Sequence, residues 1–136
     1  MAGLFIKNER IHFSQCDPAG IVFHGAYITL LDEVIEDFFR EKTGTIFRPV
    51  PGGLVFPVVH LEADFKRPLR TGDEVRLELS VVHLGRTSAA FELRIKKEDV
   101  LCVGLTRTIV CCREREGTLT PEAWGTDIRA ALEGML

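Results

Sequence analysis

Residues Ser14–Gly44 read SQCDPAGIVFHGAYITLLDEVIEDFFREKTG, a polar turn that runs straight into a long amphipathic segment. In Asp17-Pro18-Ala19-Gly20 the proline fixes one backbone dihedral and the glycine opens conformations closed to other residues, so the chain can reverse sharply there. Beyond the turn the period becomes helical. Tyr27, Leu30, Leu31, Val34, Ile35 and Phe38 recur at three-and-four spacing, while Glu33, Glu36, Asp37, Arg40 and Glu41 fall largely on the other side. Lys42, Thr43 and Gly44 then supply a cation and a permissive residue where a helix stops. The pattern predicts a helix from about His24 to Thr43, about 30 Å long, enough to cross a small domain.

Outward from this element the periodicity changes. A short strand is expected within Leu4–Phe13, with Ile11 and Phe13 on one face and His12 on the other. After the helix, Thr45–Gly53 holds Pro49, Pro51, Gly52 and Gly53, too many breakers for regular structure. Val59, Leu61, Ala63 and Phe65 then alternate with His60, Glu62, Asp64 and Lys66 as a half-buried, central strand ending at Pro68. Two further alternations follow, Val75–Val81 and Ala89–Ile95, separated by a turn around Gly85. A last long strand, Val100–Cys112, has Leu101, Val103, Leu105 and Ile109 on one face and is interrupted by Arg107, a charge that needs a partner or an exit to solvent. Thr120 as N-cap and Pro121 at the first helical position predict a terminal helix over Pro121–Leu136. Short turns between strands imply antiparallel pairing, so the fold class is α+β, one long helix against an antiparallel sheet of about five strands.

Composition bounds the function. A chain of 136 residues is a single domain, and 46% hydrophobic with 27% charged residues is the balance of an ordinary globular protein. No stretch approaches the apolar length needed to span a bilayer, and Met1–Phe13 carries charges in every window long enough for a signal peptide, so a cytoplasmic protein is expected. A net charge of −3 argues against nonspecific binding of nucleic acid. Cys16, Cys102, Cys111 and Cys112 show no metal-ligand or disulfide spacing and read as packed thiols.

The run Cys16-Asp17-Pro18-Ala19-Gly20-Ile21-Val22-Phe23, followed by His24-Gly25-Ala26-Tyr27 and Leu31-Asp32, resembles the signature of hotdog-fold acyl-CoA thioesterases of the 4-hydroxybenzoyl-CoA thioesterase family. The strand spacing agrees from about Ile11 to Arg113. The resemblance implies a helix wrapped by the sheet, subunits that pair through their sheets as a homodimer or homotetramer, and active sites at the subunit interface. It implies an acyl-CoA substrate and no cofactor or metal. Asp17 is then the catalytic carboxylate, acting as nucleophile on the thioester carbonyl or as the base that activates water. The backbone N–H of His24 or Gly25 is assigned to the thioester oxygen; a helix N-terminus, with unpaired N–H groups and a positive dipole end, suits a developing oxyanion.

By the same resemblance Tyr27 is placed at the substrate, Asp32 meets a ring hydroxyl, and Arg86, Thr87 and Ser88 contact the CoA phosphates. His60, on the polar side of its strand, is expected to border the pocket. Two positions depart from the family pattern: Gln15 stands where an acidic or hydroxyl residue is common, and His24 where hydroxybenzoyl enzymes have Tyr. His at that position is more like the short-chain acyl-CoA thioesterases associated with envelope complexes. The expected activity is hydrolysis of a small, aryl CoA thioester, with a short aliphatic acyl-CoA or acyl carrier protein thioester as the enzymatic alternative and a non-catalytic acyl-CoA binding protein as the alternative from another class. A hotdog dehydratase using His60 and a helix carboxylate would leave the Asp17 turn without a purpose.

Overall fold

In a computed structural model of the chain, which describes residues 3–136, the helical pattern becomes one continuous helix, α1 (His24–Thr43), and the alternating patterns become strands. Gly44 ends α1 with a left-handed φ of 72°, its N–H donating to the Arg40 and Phe39 carbonyls; a residue with a β-carbon is strained in that conformation. Strands β1 (Phe5–Arg10), β3 (Val58–Phe65), β4 (Glu74–Leu84), β5 (Ser88–Lys97) and β6 (Val100–Val110) form one antiparallel sheet in the order β1-β4-β5-β6-β3. This is the hotdog architecture that the sequence predicts.

The alternation decides which face α1 covers. Leu77, Leu79, Val81, Ala89, Phe91, Leu93, Ile95, Val103, Leu105 and Ile109 are buried on the inner face. Against them pack Tyr27, Leu30, Leu31, Val34, Ile35, Phe38 and Phe39 of α1. Phe38 and Phe39 both meet the Phe91 ring edge-on, at centroid distances of 6.2 Å. At the far end of α1, Phe39 lies against Phe47, Phe56 and Trp124. The indole N–H of Trp124 donates to the Ser88 carbonyl at 3.1 Å, which pins this aromatic cluster to the sheet.

Four expectations change. The first strand stops at Arg10, and Phe13–Gln15 form a 3₁₀ turn that leaves Phe13 77% exposed instead of buried beside Ile11. The Val58–Phe65 strand is at the edge of the sheet, so every one of its residues is exposed in this chain. The register shifts between Ile95 and Lys96, and Leu101 then pairs with Lys96, which turns it to the outer face. The terminal helix, α2, begins at Thr126 rather than Pro121. Thr118–Pro121 is instead a strand, β8, in a small second sheet with β2 (Leu54–Val55) and β7 (Cys112–Arg115). The Arg113–Glu122 ion pair at 2.6 Å and the bond from the Glu122 N–H to the Cys111 carbonyl hold the chain extended there. Neither helix is long and apolar enough to cross a membrane.

Because Phe91 is fully buried between both phenylalanines of α1, Phe91→Ala is expected to lower unfolding stability by about 3–5 kcal/mol, measured by urea titration. A second expectation concerns acid. Burial raises the Glu78 carboxyl, but hydrogen bonds from Lys96 and Arg76 outweigh it and hold the group below its ordinary value. A depressed folded value means that its contribution is present above the unfolded value of about 4.5 and is lost as pH falls through the folded one. The urea midpoint should therefore fall between about pH 5 and pH 3 in the parent, and less steeply in Glu78→Gln.

Candidate active site

The site begins where β1 ends. The Ile11 N–H donates to the Asp73 carbonyl at 2.8 Å, and the Gln15 side chain accepts the His12 N–H at 2.7 Å, closing the 3₁₀ turn. The Gln15 carbonyl in turn receives the Phe23 N–H at 2.9 Å. Gln15 is thus a structural clamp on the turn.

From there the chain makes a tight loop about Asp17. The Asp17 N–H bonds the Ile21 carbonyl, the Gly20 N–H bonds the Asp17 carbonyl, and Gly20 takes a φ of 81°. One carboxylate oxygen, Oδ1, accepts the Ala19 N–H at 2.8 Å, which fixes the side chain and leaves Oδ2 free. The loop is anchored through its second limb: Ile21 pairs with Arg70, and the Val22 N–H donates to the Leu69 carbonyl at 2.8 Å. Tyr27 of α1 is buried beside this limb, and burial pushes its hydroxyl up to about 12, so it stays neutral.

α1 starts at His24 with Phe23 as N-cap and no side chain on its free N–H groups. The N–H groups of His24 and Gly25 make no hydrogen bond among the described residues. The Phe23 ring lies so close to Gly25 that a β-carbon there would stand 2.6 Å from the ring, and it also lies against the His24 imidazole, with centroids 4.4 Å apart. The aromatic ring shields one side of the helix start from water, so the unpaired N–H groups point into a partly apolar space. That space is a cavity of about 370 Å³ lined by Asp17, Ile21–His24, Tyr27 and Phe65–Pro68. A fixed carboxylate and unpaired helical N–H groups thus share one cavity, an arrangement able to polarise a carbonyl while presenting an oxygen base or nucleophile to it.

Other predicted residues lie elsewhere. His60 is on the outer sheet face, 3.0 Å from Glu62, and is not brought to Asp17 within the chain. Arg86, Thr87 and Ser88 form the β4–β5 turn at the opposite end of the sheet, where their carbonyls receive the N–H groups of Trp124, Cys111 and Gly85. Asp32 sits on the flank of α1 facing β3 and is hydrogen-bonded by Arg107 Nη1. The sequence marks Arg107 as needing a partner; the partner is this carboxylate. Phe23, Phe65, Lys66 and Arg67 line the cavity without having been singled out in the sequence. The adjacent Lys66-Arg67 pair just before Pro68 is the signal that could have found two of them.

The model of the thioesterase superfamily matches residues 19–103, beginning just after Asp17. A 1,4-dihydroxy-2-naphthoyl-CoA hydrolase from Rippkaea orientalis is 33% identical over 125 residues, covering 84% of this chain and 80% of that protein. Another of the same name, from Crocosphaera subtropica, is 29% identical over 97 residues, 69% of each chain. The crystal structure of a 1,4-dihydroxy-2-naphthoyl-CoA thioesterase from Synechocystis superposes with a TM-score of 0.80 at 18% identity, covering 96% of both chains. With its helix, sheet and matched segment all accounted for, the chain belongs to the thioesterase superfamily, the hotdog-fold hydrolases of thioesters.

Proposed function

We propose that this protein is an aryl-CoA thioesterase that releases a hydroxylated aromatic acid and free CoA. The observation that carries the reading is the cavity shared by Asp17 and His24, at the start of α1, where the His24 and Gly25 N–H groups are unpaired. The relatives named for a dihydroxynaphthoyl-CoA ester support an aromatic substrate. The thioester carbonyl oxygen is received by the N–H groups at the start of α1, where the negative charge of the tetrahedral intermediate is met by the helix dipole. Asp17, held by Ala19 through one oxygen, uses the other as nucleophile on the carbonyl carbon or as base toward water. Collapse of the intermediate breaks the carbon–sulfur bond, and CoA leaves. Four free thiols, Cys16 among them, suit a reducing cytoplasm.

The working unit is a homodimer joined through β3. Val58, Val59, Leu61 and Phe65 are exposed on this unpaired edge, an arrangement that natural proteins cover. Antiparallel pairing of two β3 edges reverses one subunit against the other. The partner subunit's Arg86–Ser88 turn is thereby carried toward the Asp17 end of this one, which reconciles the distance between them within the chain with a role in holding CoA phosphates.

Asp17→Asn should keep the fold and lower kcat by about 10²–10⁴-fold, with KM little changed, in a free-thiol assay on aryl-CoA esters. An Asp17→Asn variant as active as the parent overturns the mechanism. Among 1,4-dihydroxy-2-naphthoyl-, 4-hydroxybenzoyl-, benzoyl- and butyryl-CoA the hydroxyaryl esters should have the highest kcat/KM; a preference for butyryl-CoA moves the enzyme to the short-chain group. Val59→Asp is expected to shift the protein to monomer in sedimentation velocity and to abolish turnover together with it.

A further inference from the structure

The segment that carries Asp17 is fastened at three points to the turn between β3 and β4, Leu69–Asp73. Ahead of the loop, the Ile11 N–H donates to the Asp73 carbonyl and the Gly72 N–H donates to the Ile11 carbonyl, both at 2.8 Å. Just before Asp17, Cys16 Sγ lies 3.2 Å from Thr71 Oγ1. Beyond it, Ile21 pairs with Arg70, and the Val22 N–H donates to the Leu69 carbonyl at 2.8 Å. The stance of the Asp17 carboxylate is therefore set by where this turn stands.

One side chain holds the turn itself. Asp73 Oδ2 accepts the Arg70 N–H at 2.8 Å, and the Asp73 N–H donates to the Arg70 carbonyl at 3.1 Å, so the same residue closes the turn through its side chain and its backbone. Its Oδ1 accepts Lys97 Nζ at 2.9 Å from the end of β5. Burial raises the Asp73 carboxyl, but the bonds from Lys97 and the Arg70 N–H outweigh it and hold the group below its ordinary value, so this clamp is charged at neutral pH. The sheet stands without it, because β4 is paired along its length with β1 on one side and β5 on the other. We infer that Asp73 and Lys97 are a positioning pair for catalysis: they hold the Leu69–Asp73 turn, and through it the Asp17 carboxylate, in the geometry that attack at the thioester requires. The assignment rests on the thioesterase reading of the Asp17 cavity and adds to that site two residues that do not line it.

The test is a double-mutant cycle on kcat, run with the acyl-CoA ester that the parent cleaves best, in Asp73→Ala, Asp73→Asn, Lys97→Met, Asp17→Asn and the Asp73→Ala/Asp17→Asn double variant. Asp73→Ala removes both side-chain bonds and should lower kcat about 10²-fold with KM changed less than about twofold, the cost of a small misplacement of a reacting group. Asp73→Asn keeps an acceptor for the Arg70 N–H and should recover part of that loss. In the Asp17→Asn background, where no catalytic carboxylate remains to be misplaced, Asp73→Ala should change the residual kcat by less than about twofold. An equal loss with and without Asp17 marks Asp73 as a residue of the fold in general and overturns the inference, as does an Asp73→Ala variant with the kcat of the parent. Should Asp73→Ala fail to fold, Lys97→Met takes its place in the cycle, with a loss expected only where Asp17 is present and an equal loss in both backgrounds, or none, overturning the pair. A parent that cleaves no acyl-CoA ester, or an Asp17→Asn variant as active as the parent, removes the thioesterase reading instead, a result visible before any Asp73 variant is assayed.

Discussion

The place where α1 begins governs the rest of this molecule. Its apolar stripe allows one rotation against the inner face of the sheet, and its length carries it across the five strands, so its first residues emerge at the end of β3 beside Pro68. A helix cannot satisfy its own first N–H groups. Here they are not capped by a side chain either, since the N-cap is Phe23. The core thus dictates that a partial positive charge faces the cavity, and the loop before the helix answers it with Asp17. That loop is rigid for reasons unrelated to chemistry: Gln15, Leu69 and Arg70 hold both of its limbs by backbone pairing. Preorganisation at the site is a by-product of hydrogen bonds that the fold needs anyway.

Much of this was legible in the sequence because the residues are neighbours in the chain. Asp17, the glycine that turns the loop and the start of α1 lie within one short stretch, and the period of α1 gives both of its ends. The residues missed come from strands. Phe65, Lys66 and Arg67 reach the cavity only because β3 ends beside α1, and the partner of Arg107 is separated from it by most of the chain. Alternation shows that one face of β3 is apolar but not that it is an edge; its position follows from pairing with β6 alone. The tail misleads for a similar reason. Thr120-Pro121 has the local chemistry of a helix start, yet pairing with β7 and the Arg113–Glu122 contact outweigh that preference.

The two faces of the sheet divide the labour. On the outer face, Glu78 lies between Arg76 and Lys96, and His60 lies against Glu62, so charges there are matched in pairs close to water. A larger cleft, about 610 Å³, opens over this region between Asn8–Arg10 and Asp99; in it Arg76 is engaged by Glu78 and Asp99, and Lys96 by Glu78. The inner face carries cations toward its two edges, each met by a carboxylate of α1: Lys7 of β1 reaches Glu41 and Asp37, and Arg107 of β6, in the strand next to the open edge, reaches Asp32.

That location also explains why the exposed edge and the site belong together. In the single chain, Leu61, Phe65 and Asp32 face solvent, where a hydrogen bond to a carboxylate competes with water and is worth little. In the homodimer proposed above, a second β3 laid against the first would remove water from the groove between α1 and the strand. The helix N–H groups would then act at lower local dielectric, and their attraction for a developing oxyanion would rise. On that reading, pairing and catalysis depend on one closure of one groove.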